Sequence, residues 1–144
     1  MKYVAFNPFK HLQYVEAALD VPISKATGGI VALDSDGQPC AVILIDGWTH
    51  NAATCHIAIQ KPMALRGLLT EIAEYVFNIC QKQMLIGIVE GSHGKARRLN
   101  DHMGFKEIYR IKDCYAPGVD QIILQMTKAD CKYLTAEQRL QEVA

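Results

Sequence analysis

The stretch Thr54-Cys55-His56-Ile57-Ala58-Ile59 decides the fold. It runs through Lys61-Pro62 into Leu65, Leu68, Leu69, Ile72, Val76 and Ile79 at helical spacing. The first six residues are β-rich and end at a proline junction, which predicts a strand over 54–59. The spaced apolar residues form one stripe, opposite Arg66, Thr70, Glu74 and Asn78. That pattern predicts an amphipathic helix over 63–82 with Pro62 in its first turn. Met84 to Val89 is a short apolar run and predicts a buried strand at 84–89. Strand, helix and strand in this order make a βαβ unit.

Toward the N-terminus, residues 2–6 alternate weakly and predict a strand. Asn7-Pro8 is a helix start, and Phe9, Leu12, Val15 and Leu19 predict a helix over 8–19 with those four residues facing inward. Residues 20–29, with Pro22 and Gly28-Gly29, predict a loop. Strands follow at 30–33 and 40–45, joined by the turn Asp34-Ser35-Asp36-Gly37. Toward the C-terminus, Ala96, Leu99 and Met103 predict a helix within 91–103, stopped at Gly104. Strands at 105–114 and 119–127 join across Pro117-Gly118, and Thr135-Ala136-Glu137-Gln138 is a capping box. Tyr3, Tyr14, Tyr75 and Phe77 are expected in the core, and His11 and His102 on exposed helix faces. The order is β-α-β-β-β-α-β-α-β-β plus a C-terminal helix: an α/β fold with a mixed sheet and helices on both faces. One domain is expected over 1–128, followed by a helical tail over 129–144.

The chain has 144 residues, with 15 Lys+Arg against 15 Asp+Glu. Zero net charge argues against a protein built to coat nucleic acid. It also removes self-repulsion, which favours a homo-oligomer. No apolar run approaches the roughly 18–20 residues of a membrane span. The start, Met1 to Phe6, reaches Asn7-Pro8 too soon for a signal peptide. Cys40, Cys55, Cys80, Cys114 and Cys131 are odd in number and contain no C-x-x-C pair. They read as free thiols in a reducing, cytoplasmic setting, with no metal site.

The arrangement resembles the GNAT (GCN5-related N-acetyltransferase) superfamily. Three features carry the resemblance. Asp36-Gly37 precedes an apolar strand, strand 54–60 runs into helix 63–82, and Ala96-x-x-Leu99-x-x-x-x-Gly104-Phe105 follows strand 84–89. The last matches the tail of the family pattern N-x-x-A-x-x-[LF]-Y-x-x-x-G-F. The resemblance implies an acyl-CoA-dependent N-acyltransferase that takes acetyl-CoA or another acyl-CoA and an amine acceptor. It implies that Ile57, Ile59 and Gln60 hold the pantetheine by strand pairing. It also implies that Lys61, Arg66, Gly67 and the helix start hold the pyrophosphate, with Ala96 beside the coenzyme.

The chain departs from the family at two places. The pyrophosphate loop [QR]-x-x-G-x-[GA] reads Gln60-Lys61-Pro62-Met63-Ala64-Leu65, so Met63 and Leu65 stand on the glycine positions. Glycines there let backbone N–H groups approach phosphates, and Pro62 removes one donor. The tyrosine that protonates the departing thiolate falls on Asn100, which donates no such proton. Tyr109 and Tyr115 lie on the next strand.

Deprotonating an amine needs a carboxylate or imidazole near the centre of the sheet. Asp46, His50 and His56 lie on or beside the central strands. Glu90 and His93 stand just past the carboxyl end of strand 84–89, where open α/β sheets bind ligands, and are the expected catalytic pair. Trp48 sits in a loop between strands as a binding anchor or a core cap. Lys95, Arg97, Arg98, Lys106, Arg110 and Lys112 outnumber Asp101, Glu107 and Asp113, giving a basic segment for phosphates or a solvated face. Residues 13–50 are acidic, with Glu16, Asp20, Asp34, Asp36 and Asp46 against Lys25, and suit a cationic amine. The rival reading is a non-catalytic member kept for protein interaction. Divergent examples of that kind occur among bacteriophage proteins.

Overall fold

The computed structural model describes residues 1–91 and 94–140. Strand β1 (Lys2–Ala5) leads into α1 (Pro8–Ala18). Asn7 starts that helix because its side-chain oxygen accepts from the N–H groups of Phe9 at 2.9 Å and Lys10 at 3.3 Å. Strands β2 (Gly28–Leu33), β3 (Pro39–Asp46) and β4 (Ala52–Ile59) follow as an antiparallel meander. A 3₁₀ turn, Pro62–Ala64, opens helix α2 (Leu65–Ala73), which continues as a π-helical segment, Glu74–Ile79. Then come β5 (Met84–Glu90), α3 (Gly94–Met103), the hairpin β6 (Lys106–Ala116) and β7 (Val119–Thr127), and α4 (Ala136–Leu140).

All seven strands form one sheet in the order β1-β2-β3-β4-β5-β7-β6. The β4–β5 pair is parallel and its neighbours are antiparallel. This is the mixed sheet the sequence predicts, with the βαβ unit at its centre. Side chains alternate across β3 and sort into two clusters. Ile43 and Ile45 pack with Leu68, Leu69, Ile72 and Phe77 of the α2 segment and with Met103 of α3. Val42 and Leu44 pack with Val31 of β2 and Val15 of α1 on the other face.

Four sequence expectations need correction. Helix α1 turns inward on His11 and Val15, while Phe9 is 98% exposed and Leu12 also faces solvent. His11 Nδ1 accepts the Asn7 backbone N–H at 2.9 Å, so the helix start holds this residue inside. Ile79 is exposed because the π turn adds a residue per turn and rotates the stripe, bringing Phe77 fully inside. Gly28 and Gly29 lie in β2 rather than in a loop. A Cβ on Gly29 would sit 2.3 Å from the Ile43 carbonyl oxygen, so only glycine lets β2 and β3 pair there.

The C-terminal segment joins the main core through Cys131 and Leu134. The predicted capping box is present: Gln138 N–H donates to Thr135 Oγ1 at 3.1 Å, and Thr135 N–H donates to Gln138 Oε1 at 2.9 Å. Trp48 Nε1 donates to the Ala26 carbonyl at 3.0 Å, and its ring meets Tyr75 edge-on at the core rim. Among the described residues, no helix is long and apolar enough to cross a membrane.

Candidate active site

Strands β4 and β5 pair at only four positions, from Ala52↔Met84 to Cys55↔Gly87. Beyond them His56–Ile59 stays on β3, while Ile88–Glu90 stays on β7. The sheet therefore splits into a V. The Gln60 N–H donates to the Cys40 carbonyl at 2.9 Å, so even-numbered backbone groups of β4 face β3. By the alternation of an antiparallel ladder, the N–H and C=O groups of Ile57 and Ile59 face the gap. An extended chain laid there finds a ready strand edge.

The gap is a cleft of about 420 Å³. The segment after α1 gives it Leu19, Asp20 and Val21. Strand β4 gives Cys55, His56, Ile57 and Ile59, and β5 gives Gly87, Ile88 and Val89. Asn100 and Met103 of α3, with Phe105, Tyr115 and Leu124, close the other side. Gly87 leaves room at the fork, where a Cβ would meet Leu124 at 3.6 Å and Phe105 at 3.8 Å. Burial pushes the Cys55 thiol up to about 12, so it stays protonated and inert at neutral pH.

His56 is the titratable group on the cleft wall with a built partner. Its Nε2 lies 2.8 Å from Asp46 Oδ1, and both side chains are about three-quarters buried. The β3–β4 register causes the contact. Asp46 opposes Thr54 and Leu44 opposes His56, so Asp46 and His56 share one face as diagonal neighbours. An ionised Asp46 accepts the Nε2–H proton, which leaves Nδ1 with a free lone pair. This is an imidazole oriented by a carboxylate, the arrangement of a general base.

The other expected residues fall in several places. Ile57 and Ile59 line the cleft. Gln60 lies just outside its lining, and its Oε1 accepts the Tyr14 hydroxyl of α1. That phenol is pushed up to about 12, chiefly by burial. Lys61 is paired with Asp34 at 2.9 Å, which places an acidic residue at the end of β4 rather than on the amine side. Gly67 faces inward: a Cβ there would lie 2.1 Å from the Tyr3 hydroxyl oxygen. Ala96 belongs to α3. Glu90 ends β5 outside the cleft lining, and His93 lies outside the described residues. Asn100, at the tyrosine position, is nearly buried on the cleft wall. Tyr115 reaches the cleft from β6, whereas Tyr109 does not. His50 stays in the β3–β4 turn.

The start of the α2 segment offers few donors. Pro62 has no N–H, Ala64 N–H donates to the Lys61 carbonyl at 3.0 Å, and Leu65 N–H donates to the Pro62 carbonyl. A second cavity of about 470 Å³ opens beside this turn, lined by Pro62, Met63, Leu65, Arg66, His102, Lys132 and Tyr133. Within the basic segment, Lys106 pairs with Asp130, and Arg110 pairs with Glu107 and Asp120. Among the described residues no cluster of metal-ligating side chains occurs.

No protein-family profile and no curated protein matches the chain. Solved structures do. Mutant forms of the spermidine/spermine N-acetyltransferase of Vibrio cholerae align over 97% of this chain and 99% of theirs, with a TM-score of 0.76 at 14% identity. A dodecameric form of the spermidine N-acetyltransferase of that organism aligns over 89% of this chain and 73% of its own, with a TM-score of 0.65 at 19% identity. A protein of Desulfovibrio desulfuricans assigned as a GNAT-family acetyltransferase aligns over 71% of this chain and 69% of its own, with a TM-score of 0.61 at 20% identity. The chain therefore has the fold of the GNAT N-acetyltransferases, with its parallel strand pair parted at the same place as its candidate active site.

Proposed function

We propose that this protein transfers an acyl group from acyl-CoA to an amine in the β4–β5 cleft. The observation that carries this reading is the open edge of β4 with the His56–Asp46 pair on its wall. The pantetheine lies along the edge, its amides paired with the backbone of Ile57 and Ile59. The amine enters from the side of Asp20 and Asp46, whose charge suits a cation. As nitrogen attacks the thioester carbonyl, His56 Nδ1 takes the amine proton. The C–S bond then breaks, and the thiolate takes a proton from the Tyr115 phenol, which stands in the cleft where Asn100 offers none. Glu90, the last residue of β5, and His93, three residues on in the sequence, pass the proton on toward solvent.

Spermidine is the first acceptor to try, because solved structures of the same fold are named for it. Acetyl-CoA and longer acyl-CoAs are titrated into the full chain by calorimetry, and turnover is read with a panel of amines. Binding at micromolar to millimolar coenzyme with amine-dependent turnover is expected. His56→Ala should lower kcat about 10²–10⁴-fold, the range for a general base. Absence of coenzyme binding at millimolar concentration overturns the proposal.

A second reading has its own observation. Asn100 at the acid position and the occupied N–H groups of the 3₁₀ turn favour a non-catalytic member that serves in assembly. It predicts no turnover with any amine.

A further inference from the structure

We infer that the Asn100 carboxamide donates to the thioester oxygen of the acyl-CoA and stabilises the charge that gathers there when the amine attacks. This rests on the acyltransferase reading and adds to it a catalytic residue on the wall opposite His56.

Two observations support it. The first is an unpaired polar group. Among the described residues, the buried polar or charged side chains are His11, Asn100 and Lys128. His11 accepts the Asn7 N–H, and Lys128 has a partner. The Asn100 carboxamide makes no hydrogen bond among the described residues, although only 9% of the residue is exposed. Cys55, Met103, Phe105 and Leu124, which line the cleft with it, are in no position to satisfy an amide by their apolar surfaces. Burying an amide unpaired is costly, and a fold that keeps one calls for an explanation. A ligand in the cleft supplies it.

The second is placement. Leu44 opposes His56 on the β3–β4 ladder and packs with Val15 of α1, so His56 and Asp46 face the α1 side of the sheet. Asn100 stands on α3, whose Met103 packs with Ile43 and Ile45 on the other side. The cleft runs through the gap between β4 and β5 and is lined from both sides. A thioester held in that gap has an imidazole on one side and an amide donor on the other.

The amine reaches the carbonyl carbon from the His56 side, where its proton is taken. As the C–N bond forms, the C=O π pair moves onto oxygen. The other substituents of the carbon bend away from the nucleophile, toward α3, where the two N–H groups of Asn100 meet the charge. The pair returns to carbon as the C–S bond breaks, and Tyr115 protonates the thiolate. Asn100 gives a hydrogen bond throughout and never a proton, which is within the reach of a carboxamide. A fixed donor in such a cleft acts most strongly where charge develops.

The test compares the full chain with two variants. Asn100→Ala removes the amide from a residue that lines an open cleft, and Asn100→Asp, ionised at about pH 8, keeps the shape without a donor. With the panel amine that turns over fastest, each variant should lower kcat about 10²–10³-fold, the range for loss of one such donor. The Kd of Asn100→Ala for acetyl-CoA should stay within threefold. Acetyl-CoA labelled at its carbonyl carbon and bound without amine should show a lower infrared carbonyl frequency in the unaltered chain than in Asn100→Ala. The Tm of ligand-free Asn100→Ala should be unchanged or higher, since no internal bond is lost and alanine is the better helix former. A kcat within threefold in Asn100→Ala, equal carbonyl frequencies, or a Tm lowered by more than about 4 °C, the mark of a lost internal partner, each overturns the inference and leaves the acyltransferase reading standing. If the unaltered chain turns over no amine, both are overturned.

Discussion

Asp46→Asn keeps the side chain's shape beside His56 and removes its charge. Asp46 Oδ1 meets His56 Nε2 at 2.8 Å, with the side chains 27% and 23% exposed. A hydrogen bond to a charged group contributes about 1.5–3 kcal/mol, and partial solvation places this one toward the lower end. At about 1.4 kcal/mol per factor of ten, a loss of about 1.5–2 kcal/mol as the imidazolium forms lowers kcat roughly 10–30-fold. On kcat, with the amine also saturating, Asp46 acts through His56, so Asp46→Asn should add nothing there in a His56→Ala background. Initial rates at saturating acetyl-CoA are followed by loss of thioester absorbance, because exposed Cys114 would consume a thiol reagent. Asp46→Asn within twofold of the unaltered rate, or a double variant tenfold slower than His56→Ala, would show that the two side chains do not act as a pair.

Tyr115→Phe removes the phenol from the cleft and should lower kcat by about 10², the low end for an acid when thiolate is the leaving group. An unchanged kcat removes Tyr115 from the chemistry. Gly67→Ala forces its Cβ to 2.1 Å from the Tyr3 hydroxyl, which donates to the Ala64 carbonyl at 3.3 Å. Overpacking of this kind costs about 1–3 kcal/mol, whereas alanine improves helix propensity by about 1 kcal/mol. The substitution should therefore destabilise the chain alone and stabilise it in a Tyr3→Ala background, as read by denaturant midpoints; the same sign in both backgrounds counts against the packing. Thiol labelling near pH 8 should modify Cys114 and spare Cys55, whose thiol burial holds at about 12. The unfolded chain releases that proton first, near about 8.5–9. Stability from this group is complete below that pH and is lost as pH rises toward 12. Cys55→Ala should flatten the fall of Tm with alkaline pH, and an unaltered slope would contradict the burial argument.

The sheet was legible in the sequence because its central strands are unbroken apolar runs, and strand 40–45 has no other way to be buried. The inward face of helix α1 is not legible, because Phe9 and Leu12 outscore His11 in hydrophobicity, although a hydrogen bond to Asn7 keeps the imidazole inside. The π turn left no signal, since Val76, Phe77 and Ile79 suit either helical period. In the candidate site, Ile57 and Ile59 followed from the resemblance. Asp46 and His56 were visible as residues, but their contact depends on a hairpin register that a five-residue turn does not announce. Asp46 lies opposite Thr54, and once that register is fixed the diagonal to His56 follows. Lys132 and Tyr133 were out of reach, because their meeting with Arg66 depends on how the C-terminal segment returns across the core.

The short β4–β5 pairing has a mechanical consequence. Strands β1–β4 form one plate and β5, β7 and β6 another, and four residue pairs join them along one end. Two stiff plates joined along a seam share one soft coordinate, the angle at the fork. In the proposed reaction, acyl chain length and gap width would be the same variable, with Cys55 and Gly87, the last residue pair of the seam, as its pivot. A bulkier residue at Gly87 would set the angle wider in every state of the protein, as a wedge does at the root of a split.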